Sequence, residues 1–475
     1  MINEEIIKQN TTLLNSFLSK NKFKPTDCVV LEKNENSFLV PHAKESPKEF
    51  FKEIFSSTGP FWQAYNEMGL GEIPNEKEYS LFINNELYFC TNIQNEYVYT
   101  IGPKEKYVYK NSKLVKTKPL SIDYLIRTLS APLDIISQTN QTIINAFRIN
   151  EILPEISEQL KESEEYWERT KDKPDFEAHD AEYALQRAVK CMKYSFLVSL
   201  AYSLNLKPSE QINPLIEKTK QIHESIKKFQ KGETPPLDIG YFGENIYDIS
   251  KERFFDKTNP RKDFVLLELP NNEWMILRET LKIVCARYLA IQRKAYLSLA
   301  KSLSLEENIF YLTTKELLKI KESPLNEVVG IIAQRKVDFE RNLKISTPNK
   351  IIYDSEKWFF ENEILVTKNE EIHGLSVGAK TKAQGIISIV RNDEDLKKDF
   401  LGKIIVTSYF SPNLVVTYKS ALGVISSVGG SLSHPAIVAR EKNLPCIVQA
   451  NIEGIKEGDT IEIDGEKGIA RVINN

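Results

Sequence analysis

One stretch of this chain has the residue types and spacing for phosphoryl chemistry: VGGSLSHPAIVAR, Val428 to Arg440. Gly429 and Gly430 follow a β-branched run, GVISSV, and precede His434, Pro435 and a series of helix formers. The spacing predicts a strand, a turn and a helix that begins at the imidazole. Proline in the first turn of a helix gives up nothing, because the N–H it lacks has no intrahelical partner there. A helix N-terminus presents unpaired N–H groups and the positive end of the dipole, so it can hold a phosphate. Glycines just before it admit positive φ and let the backbone close on an anion. Ser431 and Ser433 add hydroxyl donors beside the imidazole, and Arg440 adds a cation about two turns along. A neutral imidazole whose other ring nitrogen is hydrogen-bonded can attack a phosphoryl group. The phosphohistidine formed would sit among donors that stabilise its charge. Taken alone, however, GG-x-x-S-H is equally the pattern of a surface cap or a structural histidine.

The remaining candidates for chemistry are sparse. His42, His179, His223 and His373 are scattered without metal-like spacing and are predicted to be structural or surface residues. Five cysteines, Cys28, Cys90, Cys191, Cys285 and Cys446, are widely spaced and form no CxxC. They read as reduced, mostly buried thiols, with Cys446 packed in a strand, and no metal site is expected.

The elements that would position the histidine follow from the hydrophobic pattern. Residues 1–118 read as a small α+β region. SPKEFFKEIF (46–55) has helical spacing behind a Ser cap, while YSLFINNELYFC (79–90), NEYVYTIG and KYVYKNSKLVK read as strands of a small antiparallel sheet. Residues 119–350 read as a mostly helical block. DAEYALQRAVKCMKYSFLVSLAYSL (180–204) and NEWMILRETLKIVCARYLAIQRKAYLSLAKSL (272–303) repeat apolar residues at three- and four-residue intervals. Between them KGETPPLDIGYFGENIYDIS carries Pro and Gly and is expected to be a loop. A linker is expected over 351–371. From 372 to 475 short strand signals alternate with short helical pieces near 411–420 and 434–443, a compact α/β unit of normal domain size. The fold class expected is therefore multidomain α+β.

Composition bounds the function. The chain has 475 residues, so two or three domains are expected, and 41% apolar with 27% charged residues is ordinary for a globular protein with a core. A net charge of −3 gives no reason to expect nucleic acid or an anionic membrane as partner. No apolar run approaches the roughly 20 residues of a membrane span, and the acidic, polar MINEEIIKQNTT is unlike a signal peptide, so a cytoplasmic location is expected.

The motif continues as AIVAREKNLPCIV. Here the chain resembles the phosphohistidine (swivelling, or mobile) domain of the PEP-utilising enzyme family, whose pattern reads approximately GG-x-x-[ST]-H-x-A-I-V-A-R-E-x-x-I-P-x-V-V. Gly429, Gly430, Ser433, His434, Ala436, Ile437, Val438, Ala439, Arg440, Glu441, Pro445 and Val448 stand in register. GKIIVTSYFSPNLVVTYKSALGVIS upstream and EGDTIEIDGEKGIARVI downstream look like the family's flanking segments. Pro435 departs from the small residue usual after the histidine, and Gln449-Ala450 stands where a glycine is common. The resemblance implies that His434 is transiently phosphorylated and that the domain swings between a donor and an acceptor site. Gly429, Gly430, Ser431, Ser433 and Arg440 would support the phosphate.

The central block resembles, in shorter pieces, the helical substrate-side domain of phosphoenolpyruvate-synthase-like proteins. The pieces are YFGENIYDISKERFF (241–255), LRETLK (277–282), ENIFYLTTKEL (307–317) and AQRKVDFERNLKISTPNKI (333–351). Glu244 and Asn245 replace the family's His and Arg in the first. The polar candidates for an acceptor pocket are then Asp248, Arg253, Arg278 and Glu279. No glycine-rich loop of an ATP-grasp domain is visible, so the resemblance implies a phosphotransferase that receives its phosphoryl group from an ATP-grasp partner in trans. ATP and Mg²⁺ would sit on that partner, and this chain would hold no cofactor of its own. The acceptor would be a small molecule. Two alternatives stand beside this: a kinase-like enzyme for a small polar metabolite or a cell-surface sugar precursor, and a catalytically silent regulatory or binding subunit.

Overall fold

The computed structural model describes residues 2–33, 43–98, 106–110, 113–117, 151–231, 240–241, 247–250, 254–255, 269–343, 347–360, 371–391, 395–407, 412–430, 434–450, 452 and 455–473. It is a multidomain α+β chain.

The N-terminal part runs α1 (Ile2–Lys20), β1 (Val29–Lys33), α2 (Glu45–Ile54), α3 (Pro60–Glu67), β2 (Ser80–Ile83), β3 (Glu86–Cys90) and α4 (Thr91–Tyr97). The hairpin β2–β3 closes on Asn84 and Asn85, whose φ values of 49° and 70° are those a two-residue type I′ turn requires and asparagine tolerates. Two sequence expectations differ here. α2 starts one residue before the predicted Ser cap, and the Ser46 hydroxyl instead donates to the Phe310 carbonyl. The NEYVYTIG segment is not the predicted strand where it is described: Thr91–Tyr97 is helical. The cause is Asn92, whose amide donates to Cys28 O and accepts from Val30 N, turning the chain sharply against β1 as β3 ends. A separate hairpin follows, β4 (Lys106–Lys110) and β5 (Lys113–Thr117).

The helical block contains α5 (Leu153–Thr170), α6 (Ala178–Ser203), α7 (Asn213–Gln230), a two-residue pair β6 (Gly240–Tyr241) and β7 (Phe254–Phe255), α8 (Glu273–Leu303), α9 (Thr314–Lys319) and α10 (Leu325–Asn342). α8 is buried almost all round, Arg287, Gln292 and Arg293 included, as befits a helix in the centre of a bundle. It packs along α6, where small residues on both (Ala181, Ala184, Ala188; Ala286, Ala290) are fully buried and admit close approach. Asn272 Oδ1 caps α8 by accepting from the N–H groups of Trp274 and Met275, and Ser304, left-handed at φ 56°, ends it.

The chain then returns to the first sheet. β8 (Lys350–Asp354) pairs antiparallel with β1, and β9 (Lys357–Phe360) completes the order β2-β3-β1-β8-β9. Part of the stretch read as a linker, 351–371, is therefore a hairpin whose Ile351 and Tyr353 are buried in the N-terminal core, with Ile352 buried between them. Its strands are so short, four and five residues around a Ser355–Glu356 turn, that the polar turn masks their alternation.

The last unit is an eight-stranded mixed sheet: β10 (Glu371–His373), β11 (Leu375–Ser376), β12 (Lys382–Val390), β13 (Lys403–Thr407), β14 (Gly423–Ser426), β15 (Cys446–Val448), β16 (Thr460–Asp464) and β17 (Ile469–Ile473). The order is β10-β17-β16-β12-β13-β14-β15-β11, with β12 to β15 parallel. Alternate residues feed two cores. Val424 and Cys446 face the helix α11 (His434–Glu441) and a 3₁₀ segment, Pro412–Lys419, while Ile425 and Ile447 face the other side.

Candidate phosphohistidine site

β14, α11 and β15 form a strand–helix–strand unit of adjacent parallel strands. The loop carrying the glycine pair leaves the carboxyl end of β14, the side on which α/β sheets place their ligands. Val428 N donates to Ser426 Oγ, and Ala450 N donates to Ser426 O, tying the loop root to the end of β15. Gly429 takes φ +107°, a value that a residue with Cβ rarely adopts, and its carbonyl accepts from Gln449 Nε2 at 3.2 Å. The glycine at this position is thus required by the backbone. His434 is the first residue of α11 and Pro435 the second, as the sequence predicts. Ser431 and Ser433 lie outside the described residues.

α11 is buried on two sides. Ala436, Val438 and Ala439 pack against the helix's own sheet, whereas Ile437, 1% exposed, joins the core of the helical block. Arg440 reaches across to the helical block. Its guanidinium stands 5.4 Å from the centre of the Tyr202 ring, at the end of α6, and its Nε donates to Ala436 O. Glu441 Oε1 accepts from Asn271 N at 3.1 Å, just before α8. Burial holds the Glu441 carboxyl above its ordinary range, opposed by the N–H groups of Asn271 and Asn272 and by Lys442 and Arg440. The end of α11 remote from His434 is therefore seated on the N-terminal end of α8. Sequence reasoning places Glu441 within the motif but gives it no role, since its partner lies 170 residues away.

The acceptor-side candidates divide. Asp248 is buried and accepts from the N–H and the hydroxyl of Ser250, a local turn. Neighbouring Ile249 O accepts from Arg293 on α8 at 2.6 Å. Tyr247 stacks on Phe50 at 5.5 Å, and burial pushes its hydroxyl pKa up, with the charges of Arg278 and Glu279 both reaching it. Residues 247–250 thus lie along α8, with Tyr247 within electrostatic reach of Arg278 and Glu279 and Ile249 bonded to Arg293. Glu279 also stands 3.7 Å from Lys282. Arg253 lies outside the described residues, as does His42.

The other histidines serve elsewhere in the fold. His223 is buried in α7, His179 is exposed 3.7 Å from Glu182, and His373 lies in β10. All five cysteines are free and buried, and burial pushes the Cys446 thiol up to about 12. Among the described residues no three His, Cys, Asp or Glu side chains gather as a metal site requires, and no helix is long and apolar enough to cross a membrane.

Comparison with known proteins places this geometry. Residues 401–468 match the model of the PEP-utilising enzyme mobile domain. A probable phosphoenolpyruvate synthase of Methanothermobacter thermautotrophicus is 37% identical over 105 residues, 22% of this chain and 15% of that protein. The rifampicin phosphotransferase of Bacillus subtilis is 30% identical over 169 residues, 35% of this chain and 19% of its own length. That of Bacillus cereus is 27% identical over 273 residues, 50% of this chain and 30% of its own length. Half of the chain exceeds what residues 372–475 can supply, so this last match runs into the helical block. The chain spans less than a third of each of these relatives.

Proposed function

From a C-terminal unit that belongs to the mobile domains of the PEP-utilising enzymes, we propose that this chain is the phosphoryl-carrying component of a phosphoenolpyruvate-synthase-like phosphotransferase. His434 is the carrier. A ring nitrogen attacks the β-phosphorus of ATP held by an ATP-grasp partner and displaces AMP; water then takes the γ-phosphoryl group from the pyrophosphorylated histidine as inorganic phosphate, which leaves the phosphohistidine. Mg²⁺ belongs with that ATP and supplies charge neutralisation there. The phosphohistidine then passes its phosphoryl group to a small-molecule acceptor over the helical block. The acceptor oxygen forms the new P–O bond as the P–N bond breaks, and the imidazole recovers its lone pair.

The single observation that carries this reading is the coincidence of the family match with the local backbone. His434 opens α11 behind a glycine held at φ +107°, at the carboxyl ends of parallel strands. A glycine turn that leads into a helix N-terminus can offer N–H donors to phosphoryl oxygens. The docking of α11 onto α8, near Arg278 and Glu279, supports an acceptor in the helical block. The likeness to rifampicin phosphotransferases, which extends into that block, supports it further.

The test is incubation with labelled ATP plus the ATP-grasp partner, and separately with phosphoenolpyruvate, followed by an assay for acid-labile, base-stable protein phosphate. Wild type is expected to take up label and His434→Ala none. Equal uptake by the two proteins, or none by either with every donor, refutes the carrier role.

A further inference from the structure

Gln449, the first residue after β15, is left-handed at φ 57°. A residue with a Cβ pays for that conformation, which glycine adopts freely. Other left-handed residues of the chain serve evident ends: Ser304 stops α8, and Ser355 and Glu356 turn the β8–β9 hairpin. Among the described elements Gln449 stops no helix and turns no hairpin. Its neighbours Val448 and Ala450 are buried while Gln449 itself is exposed, so its side chain fills no core. It reaches back instead to the histidine loop. Gln449 Nε2 donates to Gly429 O at 3.2 Å, and a carbonyl opposite fixes which end of the amide faces it.

The same two segments are also joined by Ala450 N, which donates to Ser426 O. That bond is backbone alone and needs no particular side chain, whereas the bond to Gly429 needs this one. An exposed hydrogen bond contributes little to stability, because water competes for both groups. Stability therefore gives no reason for a strained glutamine here in place of a glycine. Direction does. The peptide unit is planar and trans, so holding the Gly429 carbonyl toward Gln449 fixes the plane that passes the chain on to Gly430 and towards His434. Gly429, at φ +107° and without a Cβ, is otherwise free to rotate that plane. Backbone strain of this kind is kept where the surroundings impose it, and it gathers at functional sites.

We propose that Gln449 is a positioning residue for phosphoryl transfer: it clamps the glycine turn in the orientation from which His434 meets donor and acceptor. The assignment rests on the carrier role of His434. Gln449 acts through the Gly429 carbonyl and takes no part in making or breaking bonds to phosphorus.

Three substitutions separate positioning from a structural role. Gln449→Met keeps the length and the left-handed strain but loses the donor, Gln449→Gly loses donor and strain together, and Gln449→Lys restores a donor. Hydrogen exchange is measured on the unphosphorylated protein. The amides of residues 427–430, among them Ser427 N bonded to Thr407 O and Val428 N bonded to Ser426 Oγ, are expected to exchange about threefold faster in the Met and Gly variants, the lower part of the range for one hydrogen bond. The initial rate of His434 labelling from ATP with the ATP-grasp partner is expected to fall by the same factor in both and to recover in Gln449→Lys. Gln449→Gly is expected to melt at or above the wild-type temperature, since its strain is relieved. Slower labelling in a protein no less stable is a result that a structural role does not produce. Wild-type labelling rates in the Met and Gly variants, or a Lys variant as slow as the Met variant, overturn the proposal, and so does unchanged exchange, whatever the labelling. Faster exchange in the variants together with no label on wild type from any donor overturns the carrier reading instead, and the catalytic meaning of the clamp with it.

Discussion

The seating of α11 on the helical block makes Ile437 the most informative side chain to truncate. Its neighbours Ala436, Val438 and Ala439 hold the helix to its own sheet, while Ile437 is 1% exposed within the core of the other body. Ile437→Ala removes three carbons and keeps a residue of the highest helix propensity, so α11 itself loses nothing. At about 0.8 kcal/mol per buried carbon group the contact loses about 2.4 kcal/mol, which shifts the balance between seated and released positions by about 60-fold. Glu441→Ala adds to this by removing an acceptor from Asn271 N and Asn272 N, about 1 kcal/mol for each hydrogen bond. Small-angle X-ray scattering is the assay, with circular dichroism as the control for folding. The double variant is expected to show a larger radius of gyration at unchanged secondary structure. Phosphoryl uptake at His434 from a partner should persist. If the scattering profile stays that of wild type while a single melting transition drops by the full amount, Ile437 is ordinary core of one fixed body, and the docking argument is wrong.

Other outcomes follow from single residues. Gly429→Ala puts a Cβ on a backbone at φ +107°, a strain of roughly 1–3 kcal/mol, and should lower both the melting temperature of the C-terminal unit and the labelling of His434; an unchanged melting profile counts against a required glycine. Glu316 is raised by burial, but its hydrogen bonds from Arg335 and from Thr313 N–H overcome this and leave it below the ordinary carboxylate range. A depressed acid contributes stability above its unfolded pKa and loses it as pH falls through the folded value. Wild type and Glu316→Gln should therefore differ in melting temperature near neutrality and converge in acid; a constant gap across that range contradicts the pairing. Burial pushes the thiols of Cys90, Cys191 and Cys446 up to about 12, so native protein near pH 8 should hold about one ten-thousandth of each as thiolate and react with a disulfide reagent only on unfolding. Fast modification of any of the three in the native state would refute their burial.

Local patterns were legible in the sequence and distant pairings were not. The long central helix reads off its three- and four-residue rhythm to within a residue at each end, because Asn272 caps one terminus and the apolar stripe runs unbroken to Leu303. The β2–β3 hairpin is equally local, since Asn84–Asn85 supplies the turn its strands need. The Lys350–Phe360 hairpin was hidden because its partner, β1, lies more than 300 residues earlier, and nothing in IIYD or KWFF names that strand. α4 was hidden because its cause is one asparagine bonded to β1. At the candidate site the same division holds. The glycine turn and the start of α11 belong to a continuous motif, so they were read directly. The direction of Arg440 depends on Tyr202, and the partner of Glu441 on Asn271, neither of which is near in sequence.

α11 joins these two kinds of information in eight residues. Its first residue is the histidine of the motif, and its last two, Arg440 and Glu441, hold the contacts that the motif leaves unexplained. At 1.5 Å per residue the two functions are separated by about 10 Å along one rigid helix. A rigid helix cannot move one end without the other, so the contacts at Tyr202 and Asn271 determine where His434 can stand. Arg440 acts in this position as a docking cation. A guanidinium at the C-terminal end of a helix is favoured by the dipole, and an aromatic face offers it a partner that binds without a second charge. Carboxylate and ring together form a polar seat around one apolar residue, and the proposed carrier role requires that seat to be reversible.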